Sequence, residues 1–428
     1  MRLVLIYRGG FMPLRALLLL LLLVACNLVE QPPQTPALPP AAAQLTVAWV
    51  ENGDLFSWQQ RTGETRRIAS GGVVRPLVAP DGQHIAFTRG PQGSAESLWV
   101  VDVDGTAEQE IAARGDIRPV SGGRPLIGQV GWLDTDTLYF NTVAQTDSEV
   151  SARDDLYRAE IRTREIALIL PPSEGGRFTF SPDRQHIIVV YPGTYGRRDG
   201  RIRVLDPLGQ RQDNLLFFIG ISSGASFPFY PEIFWLPDSS AALAAIPDAD
   251  LLYDEFSAPP TLLWRLPIAN PSDRAVIGNV QASFFGLPRW SSGGDMLLYM
   301  RRAENASDNT FELYVAESGG ENAQLYASGE AGSLQPPLWL SGGESFVFQQ
   351  EDVLWLGSRN APPQRLPNEG ESALLLVFAG ADIYVFAAFN SAGAAELRYA
   401  SVSALGQAST LVATLGAGVP AFDAALSD

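Results

Sequence analysis

Short apolar strands separated by polar turns fill the chain from Leu45 onward, and no stretch keeps a 3.6-residue period. The pattern predicts strands and no helix. Eight of the strands share a signature: an aliphatic residue, usually an aromatic near it, and often an acid or a turn just after. The copies begin at Leu55, Leu98, Leu156, Ile202, Leu262, Leu313, Leu354 and Leu397. Typical forms are Leu98-Trp-Val-Val-Asp and Leu313-Tyr-Val-Ala-Glu. Successive starts lie roughly 40–60 residues apart, the length of a four-stranded β unit repeated around a ring.

A second repeat fixes the register of the first. A tight turn leads into an apolar strand at Ala79-Pro80-Asp81-Gly82-Gln83-His84-Ile85-Ala86-Phe87 and at Ser181-Pro182-Asp183-Arg184-Gln185-His186-Ile187. A shorter copy is Leu236-Pro237-Asp238-Ser239, and degenerate forms start at Leu133, Ser291 and Ser341. Proline presets φ for such a turn, Asp bonds the backbone, and Gly supplies φ freedom. These residues resemble the TolB-like, WD-type propeller repeat, whose signature is close to Trp-Ser-Pro-Asp-Gly followed by an Ile-Ala-Phe strand. The resemblance covers most of 45–428 and implies an all-β propeller. The same repeat occurs in the propellers of prolyl-oligopeptidase-type enzymes, so it specifies a fold and leaves function open.

The expected blades are 73–113, 127–170, 176–219, 231–279, 284–329, 334–367 and 372–415. The segment 45–69 has three strands and lacks an inner one. The tail Val419–Leu426 supplies it and closes the ring, which removes both sheet edges. Eight four-stranded blades result; seven is the alternative, because the seventh unit is short.

Everything before residue 45 reads differently. Ala16–Ala25 is an apolar run behind Arg2, Arg8 and Arg15, and it ends at Cys26, the only cysteine. Leu23-Val24-Ala25-Cys26 resembles the lipobox of bacterial lipoproteins. Residues 1–25 are therefore expected to be a signal peptide, and Cys26 the lipidation site. Ten apolar residues span about 15 Å as a helix, half of a ~30 Å hydrocarbon core, so a processed leader fits better than a membrane span. Met12 is an alternative start. Residues 26–44 contain five prolines and no aromatic, a semi-extended tether. The expected address is the cell membrane or envelope, lipid-anchored and extracytoplasmic.

The formal charge is −17, and removal of three leader arginines with no acids takes it near −20. Nucleic acid is excluded as a partner on that balance. A monomer is expected, with an envelope protein, peptide or glycan as its partner and no cofactor.

Candidate chemistry sits in the loops from second to third strand, which share a face with the blade-to-blade links. They are long in blades two to six: Gly90–Ser97, Val143–Asp155, Pro192–Gly200, Pro247–Pro260 and Arg301–Thr310. That face is the candidate ligand face. Its candidate residues are Asp147, Glu149, Asp154 and Asp155 in one acidic loop, Tyr195 in the next, and Asp248, Asp250, Asp254 and Glu255 in a third. Solvated acidic loops are expected there and no metal, because no Ca²⁺-loop spacing appears. The aromatic link Phe217–Pro231 is expected to pack over a blade junction, with a pocket lining as the alternative. Gly220-Ile221-Ser222-Ser223-Gly224 matches a nucleophile elbow, but no histidine follows it; His84 and His186 occupy equivalent turn positions instead. The inner strands, expected at Val74–Ala79, Gly128–Leu133, Phe178–Ser181, Ile233–Leu236, Leu287–Ser291 and Pro337–Leu340, read mostly apolar or small, with Arg75 and Arg289 the notable charges. That favours a non-catalytic binding or scaffold module. The alternative is a carboxylate-based enzyme, a glycosidase or lyase, with its site at the propeller axis. Three or more charges converging on the channel would favour that alternative.

Overall fold

The computed structural model describes residues 43–427 except 148, 195, 197, 222–227, 249–257, 284–285, 305–308, 331, 341–342, 352, 367–372, 391, 405–406 and 417–419, and not the side chains of 373–376. The chain divides into two units, Met1–Ala42 and Ala43–Asp428. The leader, Cys26 and most of the tether lie outside the described residues.

The second unit is an all-β propeller of eight sheets. Seven sheets have four strands. The third has five, because Val150–Ala152 adds to the upper half of Thr137–Gln145. All named strand pairs are antiparallel, and all join chain neighbours except Thr137–Gln145 with Leu156–Glu160, which skips Val150–Ala152, and the pair that closes the ring. There the C-terminal strand Phe422–Ser427 pairs with Gln44–Glu51 in the register Trp49↔Phe422 to Gln44↔Ser427. The short seventh unit is complete, with strands Leu338–Trp339, Ser345–Gln350, Val353–Ser358 and Ala361–Arg365. The count is eight.

Period-two alternation explains the packing. A strand inside a propeller is buried on both faces, each against a different blade. Val47 and Trp49 face blade eight, whereas Ala48 between them faces blade two. The same division repeats around the ring. Eight hydrophobic clusters result, one at each junction.

The sequence signature also gains a physical meaning. In each blade the pairing of third and fourth strands slips by a residue, at Leu55/Phe56, Leu98/Trp99, Leu156/Tyr157, Ile202/Arg203, Leu263/Trp264, Leu313/Tyr314, Leu356/Ser358 and Leu397/Arg398. Six of these slips fall at the aliphatic residue that opens the signature. A bulge there bends and twists the strand. The aromatic that follows stacks on its cross-strand partner: Trp49 on Phe56, Phe140 on Tyr157, Tyr299 on Tyr314.

The tight turns behave as their composition dictates. Asp81, Asp183 and Asp238 each accept a bond from the backbone N–H two residues on. The next position lies in the left-handed region whether it is Gly82 (φ 65°), Arg184 (61°) or Ser239 (58°). His84 sits 2.9 Å from Asp81, and His186 lies beside Asp183. His84 therefore braces its turn and His186 sits beside the equivalent one, both away from the long-loop face.

Candidate functional site

Each inner strand has one free edge toward the axis, so its backbone groups there need partners. Side chains from neighbouring inner strands supply them. The Asp423 carboxylate accepts from Val78 N at 2.7 Å. Arg75 donates to the Gly128 carbonyl at 2.9 Å. The Gln129 amide accepts from Phe178 N at 3.1 Å and donates to Phe178 O at 2.8 Å. Arg289 donates to Pro337 O at 3.0 Å, and the Trp339 indole donates back to Arg289 O at 2.8 Å. Polar residues on inner strands thus have a structural use, and their presence alone does not make a site.

A cavity of about 640 Å³ lies where inner strands of blades two to five begin, the end of the propeller that carries the long loops. Arg75, Gln129, Arg177 and Glu232 come from those four blades or their immediate approach. Asp154 reaches it from the long loop of blade three, and Tyr230 from the link between blades four and five. Val130, Val143 and Ile233 add a partly exposed aliphatic wall, backed by the buried Ile188 and Val190.

The polar groups fall into two kinds. The Tyr230 hydroxyl donates to Asp154 at 2.6 Å, and the Arg177 guanidinium lies 4.6 Å over the Tyr230 ring. Burial pushes the Asp154 carboxyl up from the ordinary aspartate range, against the Tyr230 bond and the nearby arginines, which favour its charged form. Burial also pushes the Tyr230 phenol up, and the adjacent Asp154 charge adds to it. Glu232 accepts from Arg289 at 3.2 Å. Arg75 and Arg177 are exposed, and among the described residues neither forms an ion pair.

The acidic loop of blade three is therefore not a solvated cluster throughout. Asp147 and Glu149 are exposed at its tip. Asp155 is fully buried and accepts from Thr142 N at 2.7 Å and Thr142 Oγ1 at 2.6 Å. Thr142 is where the second strand exchanges one neighbour for another, from Leu156–Glu160 to Val150–Ala152. Its N–H has no strand partner there, and the carboxylate takes that place. Asp155 is a structural cap. Asp248 is exposed at the end of Ala241–Pro247, and its N–H bonds Pro260 O at 2.8 Å. Tyr195, Asp250, Asp254 and Glu255 lie outside the described residues. Of the sequence-derived candidates that are described, Asp154 alone lines the cavity.

The aromatic link does both things expected of it. Phe218 and Phe229 are buried at the junction of blades four and five, while Tyr230 lines the cavity. Phe217 is 57% exposed, and Phe227 lies outside the described residues. Arg177 escaped the sequence reading because the inner strand of blade four was expected to start one residue later, at Phe178, and Glu232 because it precedes the inner strand Ile233–Trp235, which starts where expected. A sharper signal was present. Counting back four residues from the turn residue whose N–H closes each first hairpin (Ala79, Leu133, Ser181, Leu236) gives Arg75, Gln129, Arg177 and Glu232. The same count from Ser291 and Leu340 gives Leu287 and Pro336. The polar side of the axis is thus written in one register position.

Four charged side chains converge on the cavity, which meets the condition set for catalysis. Both carboxylates are already engaged, however, by Tyr230 and Arg289. Among the described residues no group of three or more His, Cys, Asp or Glu could hold a metal ion.

No family model matches the sequence, and no curated protein sequence is significantly similar to it. Solved structures do match. A prolyl endopeptidase structure aligns at 13% identity with a TM-score of 0.52, over 80% of this chain and 50% of the peptidase. The chain thus spans about half the length of that enzyme. A structure described as a eukaryotic initiation factor aligns at 9% identity and TM-score 0.50, over 88% of this chain and 98% of the other. Apo AztD from Citrobacter koseri aligns at 11% identity and TM-score 0.48, over 91% and 99%. At such identities the likeness of the first two, with TM-scores of 0.52 and 0.50, is one of fold alone, in line with the β-propeller described above.

Proposed function

We propose that this protein is a membrane-anchored, non-catalytic propeller lipoprotein that captures a protein, peptide or glycan of the cell envelope in its axial cavity. The carrying observation is the concentration of polar side chains from four consecutive blades in one cavity of about 640 Å³, within the usual range of ligand pockets of about 300–1,000 Å³. The anchor rests on Leu23-Val24-Ala25-Cys26, which resembles a lipobox. The tether of residues 26–44 then holds the propeller off the membrane surface.

Filling the cavity tests the reading. Val130→Trp should abolish capture of the envelope ligand and leave the melting temperature within a few degrees of the parent. Capture that survives in a folded Val130→Trp protein places the ligand elsewhere. Cys26→Ser should shift the protein from the detergent phase to the aqueous phase, and unchanged partition removes the anchor from the proposal.

One observation favours a second reading. Asp154, with its pKa raised, lies beside Tyr230 and Arg177, an arrangement able to move a proton next to a bound anion. Under the enzyme reading, an envelope polysaccharide is shortened on incubation, and Asp154→Asn stops it without loss of binding.

A further inference from the structure

We propose that the group recognised in the axial cavity is a single carboxylate carried on an apolar residue, the C-terminal end of a peptide segment. This inference rests on the binding reading above and names its ligand.

Charge comes first. The molecule carries a formal −17, yet the cavity lining is not acidic in effect. Glu232 is bonded to Arg289, so that pair contributes no net charge. Asp154 contributes at most one negative charge, and its one described hydrogen bond is spent on Tyr230. Against it stand Arg75 and Arg177. Arg75 uses one donor on Gly128 O, and a guanidinium has five. Arg177 is exposed and stacks on Tyr230, and among the described residues its guanidinium makes no hydrogen bond. Two guanidiniums facing at most one carboxylate leave a surplus that suits a monoanion. A planar fork of N–H donors matches a carboxylate in two-point contact. A phosphate, with nearly twice the charge, would leave the site short of cations.

The rest of the lining decides what carries the carboxylate. Val130, Val143 and Ile233 are partly exposed there and offer an aliphatic wall. A sugar ring is commonly held by stacking on an open aromatic face, and among the described residues lining the cavity none is offered. The Tyr230 ring is covered by Arg177. Phe178 packs against Tyr139 and Phe180, and Phe234 meets Trp290 edge-on. An aliphatic side chain beside a terminal carboxylate uses both features at once. The two arginines also share one register position on blades two and four, four residues before Ala79 and Ser181, and both line the cavity.

The test uses the full-length protein in detergent micelles and calorimetric titration with three probes. These are the peptide acetyl-Ala-Ala-Leu as free acid, the same peptide as its C-terminal amide, and trigalacturonate. The free acid should bind at least tenfold more tightly than the amide. Arg177→Gln should remove that preference and leave the amide unaffected; Arg75→Gln should act in the same direction. Arg184→Gln, on the opposite face, should bind as the parent does. Acid and amide binding alike, both abolished by Val130→Trp, overturns the carboxylate and leaves the cavity as the binding site. Trigalacturonate binding that depends on Arg177, with no peptide binding, overturns the peptide in favour of an acidic glycan. If no probe binds, the inference falls, and envelope capture by parent and Val130→Trp decides separately whether the cavity reading falls with it.

Discussion

Asp423 shows how one side chain can carry both architecture and pH dependence. It stands on the closing strand of blade one and accepts from Val78 N on blade two at 2.7 Å. Burial pushes its pKa up to about 6, against backbone hydrogen bonds that favour the charged form. An unfolded aspartate titrates near about 3.9. Between those values the folded protein holds a proton that the unfolded chain has lost. The stabilising contribution is therefore full below about pH 4 and is lost as pH rises through about 6. Asp423→Asn keeps an oxygen for Val78 and removes the titration. At pH 7.5 the variant should gain on the parent by on the order of 2 kcal/mol relative to the difference between them at pH 4. Denaturant midpoints at the two pH values measure this, and a parent–variant difference that does not change with pH refutes it.

At the scale of elements, the turns and third strands were legible because they repeat. Pro-Asp-Gly turns and Leu-aromatic bulges impose local geometry, so they read directly from composition. The acidic loop of blade three was not legible, because its residues divide by burial and not by type. Asp147 lies at an exposed tip, whereas Asp155 is buried against Thr142. The sequence pattern could not show that Val150–Ala152 would add a fifth strand and leave Thr142 N–H without a ladder partner. Asp155→Ala leaves a buried N–H and a buried hydroxyl unsatisfied. A loss of about 2–4 kcal/mol follows from desolvation of those groups. Asp147→Ala should leave the denaturation midpoint unchanged. Equal midpoints for parent and Asp155→Ala would show that Asp155 has no capping role. Arg177 and Glu232 were hidden for another reason. Arg177 was lost to a strand boundary misplaced by one residue, Glu232 lies just before its strand, and only alignment of the blades through their turns brings both to the position that faces the cavity.

At the scale of the molecule, stability depends on a junction that local sequence cannot supply. Seven of the eight blade junctions join consecutive segments, but the eighth brings the two ends of the propeller together. Phe422 and Ala424 pack with Leu45, Val47 and Trp49 against Val385 and Leu397 of blade eight. Ala421 O accepts from Val50 N at 2.9 Å, and Asp423 binds blade two. The closing strand thus ties three blades at once. Removing residues 421–428 deletes one of the four strands of blade one and exposes the free edge of Gln44–Glu51. It also uncovers buried apolar surface on blades one and eight. An unpaired apolar edge recruits other chains. The truncated protein should melt well below the parent and form concentration-dependent oligomers in sedimentation. The full chain should remain monomeric over the same range. Because ring closure is long-range in sequence, this contact should also form late, so truncation should speed unfolding more than it slows folding. A truncated protein that stays monomeric and melts with the parent would mean that the ring holds through blade-face packing alone, without the C-terminal strand.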